Sequence, residues 1–181
     1  MSETLRSYLD IQPKVGQNVM LDSSSVIIGD VRLADDVSIW PLVVIRGDVN
    51  YVSIGARTNI QDGSILHVTH KTTDNPDGFP LIVGNDVTIG HKVILHGCTI
   101  GNQVLIGMGS ILLDGSVIKD NVILGAGSLV APGKILESGY LYIGIPARQV
   151  RKLKPEELKG LCYSASHYVS LKNNYLQEDN M

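Results

Sequence analysis

Aliphatic side chains recur along this chain every six positions. Val15, Leu21, Ile27, Leu33, Ile39 and Ile45 form the first run, and after a three-residue slip it resumes at Ile54, Ile60 and Leu66. The segment Lys71 to Pro80 interrupts it. Val83, Ile89 and Leu95 continue it, one residue is dropped, and Ile100, Ile106, Leu112, Ile118, Leu124, Val130 and Leu136 complete it. Four places after most of these stands a small or β-branched residue, such as Val37, Thr58, Ser64, Ser110 or Ser128, and a glycine often follows the aliphatic one. A period of six satisfies neither a helix nor a simple alternation, but it is the signature of a parallel β-helix. Each hexapeptide supplies one short strand and one corner, and three make a triangular coil. The aliphatic residue points inward and the small one fits the corner. Coils stack at the strand spacing, roughly 4.8 Å, and each buries its neighbour's core.

The pattern changes near the C-terminus. Pro155 suits a first helical turn and is followed by Glu156 and Glu157. Leu158, Leu161, Ala165, Tyr168 and Leu171 then trace one apolar stripe, which predicts a helix from about Pro155 to Leu176. The expected organisation is an N-terminal segment over 1–14, a β-helix over 15–147, and a linker, helix and frayed tail over 148–181.

Composition narrows the function classes. The 181 residues carry 15 Lys and Arg against 18 Asp and Glu, without a basic block, so nucleic acid is not an expected partner. No apolar run is long enough to span a bilayer, and no signal-peptide core opens the chain. Two cysteines imply no disulfide framework. The expectation is a soluble cytoplasmic protein.

The candidate chemistry lies between Asn59 and Cys98, which hold four of the five histidines. The spacing of His67, His91 and His96 fits no helical metal motif, but the repeat gives it meaning. Leu66 and Leu95 are both third in their coils, so His67 and His96, one residue on, stand side by side on the third face. Their backbones should be about one strand spacing apart, roughly 4.8 Å, which suits two imidazoles sharing one metal. His91 follows Ile89 on the second face and points elsewhere. One chain therefore cannot close a three-histidine site. Two can, if the second face of one packs against the third face of the next, and closing that heterologous contact points to a cyclic trimer. The same bookkeeping sets Arg46 in line with His67 and His96, and Gln61 and Asp62 beneath His91. An Arg46–Asp62 ion pair across the subunit contact follows. Cys98 reads as a small packed residue and His167 as a surface one.

I-R-G-D at Ile45 to Asp48, N-I-Q-D-x-x-x-L-H at Asn59 to His67 and G-H-x-x-x-x-H-G-C at Gly90 to Cys98 together resemble the γ-class carbonic anhydrases, over nearly the whole chain. The resemblance implies a left-handed β-helix and a homotrimer with a divalent metal at each interface, usually zinc and sometimes iron or cobalt. It implies His67, His91 and His96 as ligands. Gln61 is then the residue that hydrogen-bonds the metal's solvent, with Asn59 nearby, and Arg46, Asp48 and Asp62 form the interface charge network. Tyr168 matches an active-site tyrosine of the terminal helix. The implied reaction is hydration of carbon dioxide to bicarbonate, for which three neutral imidazoles on zinc suit the acidification of water. The chain departs from the best-known active members at their acidic shuttle residues. Val49 follows Asp48, with its register turned inward, and the Lys71 to Pro80 loop offers only Asp74 and Asp77, with His70 as another shuttle candidate. Two rival readings stand: a metal-binding relative with weak or no such activity, and a hexapeptide-repeat acyltransferase, which needs no metal.

Overall fold

The computed structural model describes residues 4–178. Each aliphatic position of the six-residue series lies directly on its counterpart one coil along. On the first face Val15 pairs with Leu33, and the stack continues through Ile54, Val83, Ile100, Ile118 and Leu136. The second face stacks Leu21, Ile39, Ile60, Ile89, Ile106 and Leu124. The third stacks Ile27, Ile45, Leu66, Leu95, Leu112 and Val130. All these pairings are parallel, and the fold is the left-handed parallel β-helix. From Ile27 onward the inward side chains of the three stacks form one continuous apolar core.

Corners close by side-chain hydrogen bonds. The Thr58 hydroxyl donates to the Gly84 carbonyl at 2.8 Å, and that of Ser64 to the Gly90 carbonyl at 3.1 Å. At another corner the amides of Ala56, Asn85 and Asn102 donate to the side-chain oxygens of Asn85, Asn102 and Asp120, each one coil further on. This ladder satisfies backbone donors that the turn removes from strand pairing.

Two of the three irregularities in the period are outward excursions. Gly29 opposes Gly47 and Val31 opposes Val52, so residues 48–51 stand against Asp30 alone and bulge from the prism. The Lys71 to Pro80 insertion is closed at its base by a bridge in which Thr69 and Phe79 exchange both backbone hydrogen bonds at 3.0 Å.

A single helix, α1 (Pro155–Glu178), lies along the second face, against Met20–Leu21, Ser38–Ile39, Asn59–Ile60 and Thr88–Ile89. Its first turn is fixed by Glu157, which accepts the Lys154 amide at 2.8 Å and both Arg151 guanidinium nitrogens at 2.7 Å. These bonds bring the Glu157 carboxyl down to about 2. Of the expected stripe, Leu161 and Ala165 are buried, whereas Leu158 is 38% exposed. The frayed tail expected beyond Gln177 falls mostly outside the described residues.

Periodicity missed Lys172, which is wholly buried, with its ammonium 3.0 Å from the Asp36 carboxylate. Burial works against the charge on Asp36, but hydrogen bonds from Lys172 and Asn18 prevail and hold its carboxyl below the usual range. Its contribution is therefore complete above about pH 4 and is lost as pH falls through the lowered folded value. Asp36→Ala leaves the buried ammonium with only its 2.6 Å hydrogen bond to Asn173 and should cost about 3 kcal/mol. Lys172→Met leaves only a partly solvated carboxylate, and about 1–2 kcal/mol is expected. Urea unfolding of the two variants checks the order; equal losses would contradict the burial asymmetry.

Candidate metal centre

Register brings His67 and His96 together. The two residues are direct strand partners, and their rings lie 5.1 Å apart between centroids. Nδ1 of His67 stands 3.1 Å from Nε2 of His96. The far nitrogen of each ring is already committed. His67 Nε2 lies 3.1 Å from Asp48 Oδ1, and His96 Nδ1 lies 2.7 Å from Asp114 Oδ1. A carboxylate accepts and cannot donate, so each far nitrogen carries the proton when the imidazole is neutral. The two facing nitrogens then present lone pairs to one another, an arrangement relieved by a shared cation.

The spacing passes a simple test for zinc. Two nitrogens at Zn–N distances of 2.0–2.1 Å and a tetrahedral angle are separated by about 3.3 Å, against 3.1 Å here. The donor set is right as well. Metal-bound histidines usually give their other N–H to a carboxylate, and burial pushes the His67 imidazole below its ordinary value despite the Asp48 hydrogen bond, favouring the neutral form a metal needs. The residues present therefore fit a divalent metal.

His91 is on the second face, around a corner of the prism. Its Nδ1 is 2.9 Å from Asp62 Oδ2, which lies beneath it in register, and Nε2 is left for an outside partner. The side chain is 48% exposed. Among the described residues no three His, Cys, Asp or Glu side chains of one chain converge on a common point.

Within the chain Arg46 pairs with Asp48, not with Asp62. Burial disfavours the Asp48 charge, but hydrogen bonds from Arg46 and His67 outweigh it and hold its carboxyl below the usual range. Gln61 is buried at the edge of a cleft of about 390 Å³ that Thr88, Met108, Ser164 and Tyr168 also line. Its amide nitrogen donates to Asn59 at 3.0 Å. Asn59 donates to Thr88 at 3.2 Å, and Thr88 shares a 2.8 Å hydrogen bond with Ser164 of α1. Tyr168 stands edge-on to Trp40, 5.8 Å between centroids. Burial raises its phenol above the ordinary value, and the nearby Asp62 charge adds to this.

The structure corrects the expectation for Val49 and adds Asp114 to the site. Val49 does not turn inward; it is 43% exposed, because residues 48–51 belong to the bulge and leave the in-out alternation. Asp114 went unnoticed, although the same register finds it: Leu112 stacks on Leu95, which sets Asp114 over Gly97, beside His96. His70, Asp74 and Asp77 are exposed, as is His167 on α1. Cys98 is buried, its thiol pushed up to about 12 by burial, and serves as packing.

Fold and site together define a hexapeptide-repeat β-helix protein with paired histidines on one face and a third on the next. The family model for the bacterial transferase hexapeptide (six repeats) matches residues 12–47 and 97–132. Protein YrdA of Escherichia coli (strain K12) is 69% identical over 180 residues, covering 99% of this chain and 98% of that one. Gamma carbonic anhydrase 3, mitochondrial, of Arabidopsis thaliana is 44% identical over 176 residues, 97% of this chain and 68% of the plant protein. The crystal structure of a hexapeptide transferase family protein from Anaplasma phagocytophilum matches with TM-score 0.88 and 39% identity, over 97% of this chain and 99% of that one. The chain belongs to the γ-class carbonic anhydrase family. Among the described residues no helix is long and apolar enough to cross a membrane.

Proposed function

We propose that this protein hydrates carbon dioxide to bicarbonate as a cyclic homotrimer, with a divalent metal, zinc in the first instance and iron or cobalt as alternatives, at each subunit contact. His67 and His96 of one protomer and His91 of the next are its ligands. The observation that carries the reading is the pair of facing imidazole nitrogens, 3.1 Å apart and each backed by a carboxylate. A metal held by three neutral imidazoles supplies the Lewis acidity that brings the pKa of water to about 7.

This chain's own residues supply the rest. Asp48 and Asp62 accept from the far nitrogens of His67 and His91. Asn59 fixes the Gln61 amide, which can then orient solvent and substrate. Tyr168 and Met108 line the cleft beside it and limit water there. The third face supports the trimer. One outward column of it, Val26, Val44, Ile65, Ile94, Ile111 and Leu129, is wholly aliphatic, and Ile65 and Ile94 remain exposed in the single chain. Such a stripe on a sheet face fits burial against a second copy. Arg46, beside His67 in register, can turn from Asp48 toward Asp62 of the neighbour when the contact forms. Both cysteines are free thiols, which fits a reducing, cytoplasmic setting.

The transferase description of the matched repeats keeps an acyltransferase as the second reading. Metal analysis of protein purified without chelating resin, with sedimentation and stopped-flow hydration on the zinc and iron forms, separates these. About one metal per chain, a trimer and metal-dependent hydration are expected. Retained metal without hydration would leave only a metal-binding relative, and acyl transfer from coenzyme A by metal-free protein would favour the transferase.

A further inference from the structure

Asp114 sits in a built pocket between two coils. Its Oδ1 lies 2.7 Å from His96 Nδ1, and its Oδ2 accepts the Thr69 hydroxyl at 2.8 Å. Space for the carboxylate is kept by Gly97, where an added Cβ would meet Asp114 Oδ1 at 2.4 Å and Phe79 Cβ at 2.6 Å. Phe79 also covers Gly115 on the other side, where a Cβ would meet its ring at 2.9 Å. Thr69 and Phe79 are in turn the two ends bridged at the base of the Lys71 to Pro80 insertion. The insertion therefore leads, through Thr69, to Asp114 and then to His96.

We propose that Asp114 is the positioning residue of His96, and that the Lys71 to Pro80 insertion acts as its brace. The carboxylate holds the His96 proton on Nδ1, so that the Nε2 lone pair faces His67. Free imidazole side chains favour the opposite tautomer, with the proton on Nε2, and His96 would revert to it without Asp114. The insertion thus gives rigidity to the site through Thr69 and Phe79, while its Asp74 and Asp77 are exposed. The link to metal rests on the function proposed above, but the tautomer does not.

The test is histidine ¹⁵N NMR on the intact metal-free protein, with zinc affinity measured by chelator competition. The wild type should carry the His96 proton on Nδ1. Asp114→Ala should move it toward Nε2 and weaken zinc binding 10–100-fold, the range for lost outer partners of a ligand. Asp114→Asn, whose amide oxygen still accepts, should keep the tautomer with a loss of about severalfold, which guards against a mere folding defect in the alanine variant. Thr69→Val should fall between, and Thr69→Ser should restore wild-type affinity. A wild-type His96 protonated on Nε2, or an Asp114→Ala protein with wild-type tautomer and zinc affinity, would overturn the inference. If the tautomer shifts as expected but the wild type binds no zinc, the positioning role stands and the metal reading fails.

Discussion

Refolding His91→Ala and His67→Ala chains together at equal amounts should recover about a quarter of the metal sites, from two homotrimers that hold none. Each variant alone lacks one ligand at every contact. In a mixed trimer a contact is whole where a His91→Ala chain supplies His67 and His96 and a His67→Ala chain supplies His91. Random assembly meets that condition at ~1/4 of contacts. Register divides the ligands in this way: His67 and His96 are strand partners on the third face, while His91 stands over Asp62 on the second. Metal content per chain is the measurement, with hydration activity following it. If all three ligands came from one chain, no mixture could rebuild a site. A mixed sample that assembles into trimers yet stays metal-free would sink the shared centre.

The same substitution should have opposite signs at two glycines. Gly84 follows Val83 where successive coils pack closely. A Cβ there would lie 2.6 Å from the Gly101 carbonyl oxygen and 2.8 Å from Asn102 Oδ1, while one on Gly55 would strike Gly84 itself at 2.5 Å. The obstacle is mainly backbone, held by the 2.8 Å hydrogen bond from Gly84 N to Ile100 O, so relief requires parting two coils. Gly84→Ala should cost about 1–3 kcal/mol, in the range of overpacked interiors. Gly160 lies inside α1 with nothing within 4 Å of an added Cβ. Gly160→Ala should stabilise by about 0.5–1 kcal/mol through helix propensity alone. Thermal unfolding of both reads the contrast directly. A Gly84→Ala protein as stable as the wild type would mean that the coils are not packed at this distance.

Much of this was legible because parallel, in-register stacking converts sequence separation into position. Once the six-residue phase is known, each aliphatic residue has a face and a height, and the residue after it points outward at the same height. That is enough to set His67 beside His96, Asp62 under His91 and the three apolar stacks through the core. Extending it one coil would also have found Asp114.

The tertiary structure decided what a period cannot carry. Arg46 has Asp48 within reach as well as any partner across a contact, and within the chain it takes Asp48. Val49 faces outward because the extra residues of 48–51 break the alternation, and an insertion's path depends on its own geometry. Lys172 occupies a buried position of the helix because Asp36, far away in sequence, awaits its ammonium. In each case several partners or paths satisfy the local pattern equally. Only the assembled packing, with its fixed distances and exclusion of water, selects one.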